Sequence, residues 1–205
     1  MTTLVFMRHG ETTWNRAGRY LSRTDIPLHA EGAAAVRVAA PALKVLASPF
    51  FVSSPLLRAR ETAAIVAGVL GMNEPEIWDD LREVDFGVFE GETEQTASRG
   101  AYASQFSAWR DPLSGNLGPP EGETWSAVDA RARRVLERLQ SEERDALVVS
   151  HGSFIRAILA HAVLGMSSHH LRRFRLENAA FVVLSGSPSK WVVAGHNVRA
   201  LPFSG

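Results

Sequence analysis

The sequence predicts an α/β fold, a three-layer α/β/α sandwich around a mostly parallel central sheet, and three observations carry that reading. Leu4-Val5-Phe6-Met7, Phe50-Phe51-Val52 and Ala146-Leu147-Val148-Val149 are short apolar runs without polar alternation, the pattern of strands buried on both faces. They alternate with segments of helical periodicity, the order of βαβ units, and right-handed crossovers then make the sheet largely parallel. Two of the runs end on a histidine followed by glycine, at His9-Gly10 and His151-Gly152. Ligands in open α/β sheets bind at the carboxyl ends of the strands, so these ends are candidate functional positions.

The elements follow in order. Arg8 and His9 close the first strand, and Gly10 is expected to turn the backbone sharply away. Residues 14–25 are mixed and basic, with Arg16, Arg19 and Arg23, and predict a loop across the mouth of the site. Pro27 marks an extended stretch. A helix is predicted from Glu31, with Val36, Ala39, Leu43 and Leu46 on one face and Pro41 kinking or splitting it. The second strand delivers Ser53-Ser54-Pro55 to the same sheet edge as Arg8. The next helix carries Arg58 in its first turn, with Ile65, Val66, Val69 and Leu70 as its apolar face and Gly71 as its C-terminal stop.

Glu76-Ile77-Trp78 predicts a short third strand, followed by Leu81-Arg82-Glu83-Val84-Asp85-Phe86-Gly87. Residues 92–123 are polar, turn-rich and weakly periodic around Trp109, and are expected to form a cap-like insertion in a single domain spanning residues 1–205. A strongly periodic helix begins near Thr124. It has Val128, Ala132, Val135 and Leu139 on one side, and Arg131, Arg134 and Arg138 are expected on a solvated face. After the strand ending at His151, Phe154, Ile155, Ile158, Leu159 and Ala162 predict a core-facing helix. Phe181–Leu184 and 191–193 flank Gly186-Ser187-Pro188 as a closing hairpin.

Arg8-His9-Gly10-Glu11-Thr12 with Asn15 resembles the opening signature of the histidine phosphatase superfamily, also called the phosphoglycerate mutase-like family. The serine-rich strand end before Arg58, the segment around Glu83, and the strand entering His151-Gly152 resemble its later signatures. Asp85-Phe86-Gly87 and Phe89-Glu90-Gly91 resemble the alpha-ribazole and broad-specificity phosphatase branches. The resemblance implies a phosphoglycerate mutase-like sandwich, His9 as phosphoryl acceptor, Glu83 as acid–base carboxylate, and Arg8, Asn15, Arg58 and His151 as phosphate ligands. Arg60 competes with Arg58 and Asp85 with Glu83. His29 stands where many relatives have threonine, and Leu21-Ser22 where phosphatase relatives often have Gln-Gly; both departures bear on substrate identity.

The residues themselves allow this chemistry. An imidazole beside a guanidinium can attack phosphorus while the arginine gathers the phosphoryl oxygens. The expected reaction is a metal-independent, two-step hydrolysis in which two guanidiniums and a His151 imidazolium hold the phosphate, and the other nitrogen of His9 donates to a backbone carbonyl near Gly10. No cofactor or metal is expected. His169-His170 is set aside as a metal pair because adjacent helical residues diverge. The alternatives are a 2,3-bisphosphoglycerate-dependent phosphoglycerate mutase and a catalytically silent phosphate-binding protein.

Composition narrows the field. In 205 residues, Lys+Arg 22 balances Asp+Glu 22, without the basic excess of a nucleic-acid binder. Cys 0 excludes a cysteine nucleophile and disulfides. No segment approaches the roughly 18 to 20 apolar residues of a membrane span. The expected setting is cytoplasmic and the expected partner a small-molecule phosphomonoester, not nucleic acid or membrane, with a homodimer left open.

Overall fold

The computed structural model describes residues 2–111, 116–160, 174–187 and 190–199. The chain begins with strand β1 (Thr2–Arg8) and a single helical turn, α1 (Thr13–Arg16), started by a Thr12 capping box with Asn15. Helix α2 (Ala30–Ala39) passes at Pro41 into a 3₁₀ stretch (Ala40–Val45), so the proline changes the helix type as its missing N–H requires. Strand β2 (Phe50–Ser53), helix α3 (Leu57–Leu70) and the short strand β3 (Glu76–Ile77) follow.

Helices α4 (Glu94–Ala97), α5 (Ala103–Arg110) and α6 (Trp125–Ser141) precede strand β4 (Ala146–Ser150). Helix α7 (Gly152–Leu159) and the hairpin strands β5 (Phe181–Gly186) and β6 (Val192–Val198) complete the described elements. Ala162, His161, His169 and His170 lie outside the described residues.

The sheet order is β3-β2-β4-β1-β5-β6. The first four strands are mutually parallel; β5 is antiparallel to β1, and β6 to β5. Met7 and Ser53 both pair with Val149, and Arg8 pairs with Ser150. The carboxyl ends of β1, β4 and β2 are therefore neighbours at one level, the condition for residues distant in sequence to share a site.

Alternation along each strand sorts the core into two layers. Leu4, Phe6, Val52, Val148 and Val182 pack with α6 and α7. Val5, Met7, Phe51, Val149 and Val183 pack with α2 and α3 on the opposite face. This is the predicted three-layer sandwich, and the continuous apolar runs follow from burial on both sides.

Two local expectations need correction, and a third gains a reason. Gly10 has no positive φ. Its lack of a side chain serves a close approach, since a Cβ there would sit 2.8 Å from the Gly32 carbonyl oxygen and 2.9 Å from Val36. The buried face of α3 runs through Arg58, Ala59, Thr62, Ala63, Val66 and Ala67, while Ile65, Val69 and Leu70 are only partly buried. Small residues on that face let α2 pack closely, which outweighs the larger side chains one position away. Part of the 92–123 segment is helical: α5 buries Phe106 and Trp109 against Phe89, with ring centroids 5.1 and 5.5 Å away.

Candidate active site

His9 leaves the end of β1 and is 3 % exposed. Its backbone N–H donates to the Ser150 carbonyl at 2.9 Å, continuing the ladder one residue beyond the strand. Its Nδ1 lies 2.7 Å from the Gly10 carbonyl oxygen. A carbonyl only accepts, so Nδ1 carries the proton and Nε2 of the neutral ring holds the free lone pair. Burial and then the Arg58 and Arg8 charges hold the His9 pKa well below the ordinary imidazole value, which favours that neutral ring.

His151 ends β4 and is fully buried, its ring centroid 5.1 Å from that of His9. Its Nε2 meets Ser54 Oγ at 2.7 Å, so the serine-rich end of β2 orients it. Burial, Arg58 and His9 depress its pKa as well. Gly152 gives Arg8 room: a Cβ there would lie 3.2 Å from Arg8 Nε, a tight contact that would press on the guanidinium.

Two guanidiniums flank these rings. Arg8 Nη1 donates to the Leu176 carbonyl at 2.6 Å. Arg58, 0 % exposed, donates Nη2 to the Ser22 carbonyl at 2.9 Å and Nη1 to the Thr24 carbonyl at 3.2 Å. Burial lowers the pKa of each to about 10, against the opposing pull of Glu83, so both remain cationic at neutral pH. Among the described residues Arg8 Nε, Arg58 Nε and His151 Nδ1 are buried with no hydrogen-bond partner. Buried donors normally find partners, so three orphans on three neighbouring residues mark a place built for an anion.

Glu83 follows the 3₁₀ turn Asp79–Leu81 and is 7 % exposed. Its Oε1 accepts from Val84 N and Phe154 N, each at 2.9 Å, and its Oε2 from Ser153 N at 3.1 Å. Ser153 and Phe154 are in the first turn of α7, whose free N–H groups favour a carboxylate. Ser150 Oγ donates to the Leu81 carbonyl at 2.8 Å and ties the Glu83 segment to β4. Asp85 instead pairs with Arg23 Nε at 3.0 Å and accepts from Gly87 N. Arg60 is exposed on α3. The structure therefore gathers Arg8, His9, Arg58, Glu83 and His151, and leaves both competitors outside that group.

Asn15 plays a double part. Its Oδ1 accepts from Thr12 N, Thr12 Oγ1 and Asn178 Nδ2, which leaves its Nδ2 group to donate into a cleft of about 670 Å³ that Arg8, Arg156 and Asn178 also line. His9, Arg58 and His151 are buried and do not line that cleft, so its position alone would not identify the chemistry.

Several residues that organise the site are given no such role by the sequence reading. Asn178 Nδ2 donates to the His9 carbonyl at 3.0 Å and the Gly10 carbonyl at 3.3 Å. Thr62 Oγ1 donates to the Arg58 carbonyl and accepts from Gly10 N, joining α3 to the His9 turn. Glu90 accepts from Ser22 N, Ser22 Oγ, Arg23 N and Thr24 N, fixing the loop whose carbonyls hold Arg58. Burial pushes the Glu90 carboxyl up, but those donors prevail and hold it below its ordinary value.

Arg131 overturns the expected solvated face of α6. It is 8 % exposed, donates to both carboxylate oxygens of Glu123 and to the Asp80 and Arg82 carbonyls, and lies 4.0 Å from the Phe154 ring centroid. It brackets the segment that carries Glu83. Arg134 and Arg138 do stay on the exposed side, paired with Asp80 and Glu76. Among the described residues no three His, Asp or Glu side chains form a group suited to a metal ion, and no helix is long and apolar enough to cross a membrane.

Comparison with known proteins identifies the family and the fold. A family model described as histidine phosphatase superfamily (branch 1) matches residues 4–199. A probable phosphoglycerate mutase of Serratia proteamaculans is 30 % identical over 203 residues, covering 95 % of this chain and 90 % of the relative. The alpha-ribazole phosphatase of Shigella flexneri superposes with TM-score 0.85 at 25 % identity, covering 100 % of both chains. A mycobacterial glucosyl-3-phosphoglycerate phosphatase, solved with VO3, superposes with TM-score 0.84 at 26 % identity, covering 97 % of this chain and 100 % of that one.

Proposed function

This chain belongs to branch 1 of the histidine phosphatase superfamily, and on that premise we propose that it hydrolyses a phosphomonoester of a small metabolite through a phosphohistidine at His9, without a metal. The observation that carries the reading is the set of three orphaned buried nitrogens, Arg8 Nε, Arg58 Nε and His151 Nδ1, around a histidine whose Nε2 is the basic nitrogen.

In the first step the phosphate sits among Arg8, Arg58 and His151, with Asn15 Nδ2 as a further donor. The Nε2 lone pair of His9 forms an N–P bond, the P–O bond to the leaving group breaks, and its electron pair stays on the leaving oxygen. Glu83, carrying a proton on entry, gives that proton to this oxygen. In the second step water gives a proton to Glu83 and attacks phosphorus; the N–P bond breaks and its pair returns to Nε2, releasing inorganic phosphate. Phosphoryl transfer asks mainly for positioning and for positive charge on the equatorial oxygens, and the two fixed guanidiniums supply that charge.

The names of the solved relatives, an alpha-ribazole phosphatase and a glucosyl-3-phosphoglycerate phosphatase, support hydrolysis. Turnover of p-nitrophenyl phosphate in the presence of EDTA, with an acid-labile, alkali-stable phosphoenzyme in rapidly quenched samples, is the expected result. Equal turnover by wild type and His9→Ala would overturn it.

One observation favours a second reading, a 2,3-bisphosphoglycerate-dependent mutase: relatives called probable phosphoglycerate mutases are 30 to 31 % identical over 203 residues. Isomerisation of 3-phosphoglycerate with a bisphosphoglycerate primer, without release of inorganic phosphate, would select it.

A further inference from the structure

Arg156 has no part in the chemistry just described, yet its charge is felt by Arg8 and it lies near Glu83. It lies on α7 one turn after Ser153, donates Nη2 to Ser153 Oγ at 3.0 Å, and donates Nη1 to the Phe174 carbonyl at 3.3 Å. Both acceptors are neutral. Among the described residues no carboxylate lies within ion-pair distance of its guanidinium. Arg8 and Arg58 share that trait, and both belong to the anion cradle.

Its position is on the leaving-group side. Ser153 donates its N–H to Glu83 Oε2 and accepts from Arg156 at its hydroxyl, so one residue separates the acid–base carboxylate from this guanidinium. Arg156 lines the large cleft that holds Arg8 and Asn15, and also a recess of about 90 Å³ walled by Tyr20, Phe86 and Trp109. Burial and the nearby Arg110 charge lower its pKa, while Glu83 raises it.

Charge balance then points outward. A phosphate dianion offsets the charges of Arg8 and Arg58, and the neutral partners of Arg156 leave its guanidinium without a contact counter-ion. A half-buried cation lining a cleft can take an anion there, and the guanidinium fork matches a planar carboxylate bidentately. We propose that Arg156 binds a carboxylate carried on the leaving-group portion of the substrate, and so selects carboxylated phosphomonoesters. This deepens, and rests on, the hydrolase reading.

The test uses matched probes: 3-phosphoglycerate against glycerol 3-phosphate, and phosphoserine against phosphoethanolamine, each by phosphate release. Wild type is expected to favour the carboxylated member of each pair by tenfold or more in kcat/KM. Arg156→Met is expected to shrink that ratio to about threefold or less, and Arg156→Lys to restore part of it. A general loss transmitted through Ser153 and Glu83 would reduce both members alike, so the ratio isolates recognition. Equal wild-type kcat/KM within both pairs, or an equal loss for both members in Arg156→Met, would overturn the assignment while leaving the hydrolase intact. Release of phosphate from none of these probes nor from p-nitrophenyl phosphate would remove both.

Discussion

Nδ1 of His9 and the carbonyl oxygen of Gly10 are 2.7 Å apart, so the residue that turns the chain out of β1 also sets the tautomer of the nucleophile. The basic Nε2 is thereby available without any side-chain carboxylate behind it. Replacing His9 by alanine is expected to lower p-nitrophenyl phosphate turnover by about 10⁴-fold or more, because no other group here can form the covalent intermediate. Loss of the phosphoenzyme signal in quenched samples checks the same point.

Asn178 should act on the reaction at one remove. Its Nδ2 donates to the His9 and Gly10 carbonyls and to Asn15 Oδ1, so it holds the acceptor that orients His9 together with the amide that faces the cleft. Asn178→Asp replaces those donated bonds by repulsion between acceptors. The expected outcome is a kcat lowered about 10- to 100-fold with a smaller change in KM, since misplacement by a fraction of an ångström costs this much in an oriented reaction. Unaltered steady-state constants would refute the role.

For Glu83, the leaving group decides the size of the effect. Glu83→Gln keeps the size of the side chain but removes its proton chemistry, and should lower kcat for an alkyl phosphate by about 10²- to 10⁴-fold. With p-nitrophenyl phosphate, whose leaving oxygen needs no proton, the rate of phosphoenzyme formation in a single turnover should fall clearly less. An equal loss of that rate on both substrates would mean that Glu83 serves as a structural cap of α7 through Ser153 and Phe154.

The two buried histidines also predict how stability follows pH. Both have pKa values held well below the ordinary 6.5 in the folded chain. The unfolded chain therefore binds more protons as pH falls below about 6.5, and their contribution, complete above that value, is lost as pH falls toward the folded values. Each should cost on the order of 1 kcal/mol per pH unit in that window. Denaturant midpoints measured at several pH values should show this slope in wild type and a shallower one in His151→Gln.

Arg131→Met tests the interior of α6. Removing this guanidinium leaves Glu123, whose side chain is 18 % exposed, without its counter-ion and with the Asp85 N–H as its remaining donor, and leaves two backbone carbonyls without the Arg131 donor. A loss of about 3 kcal/mol in unfolding free energy is expected, as for other shielded ion pairs broken on one side. A chain as stable as wild type would contradict the bracing of the Glu83 segment.

The primary structure by itself determined the layer architecture and the ends of the strands. Runs such as Leu4-Val5-Phe6-Met7 can be satisfied only between two covering layers, and a histidine at the end of such a run can only emerge at the sheet edge. These are local consequences of side-chain polarity and chain direction, so the strand ends at His9 and His151 were legible as candidate positions without coordinates, while Glu83 and the phosphate-ligand roles of Arg58 and His151 rested on the resemblance to the family.

Tertiary structure decided what those candidates touch. Asn178 reaches His9 across 169 positions, and Ser54 reaches His151 across 97, through a strand order that no local pattern encodes. Arg131 shows the same limit from the other side. Its spacing matches a solvated stripe, yet two backbone carbonyls and Glu123 from other segments close over it and supply the acceptors that make burial tolerable. Burial and partnership are properties of the surrounding atoms, and those atoms come from parts of the chain that only folding brings near.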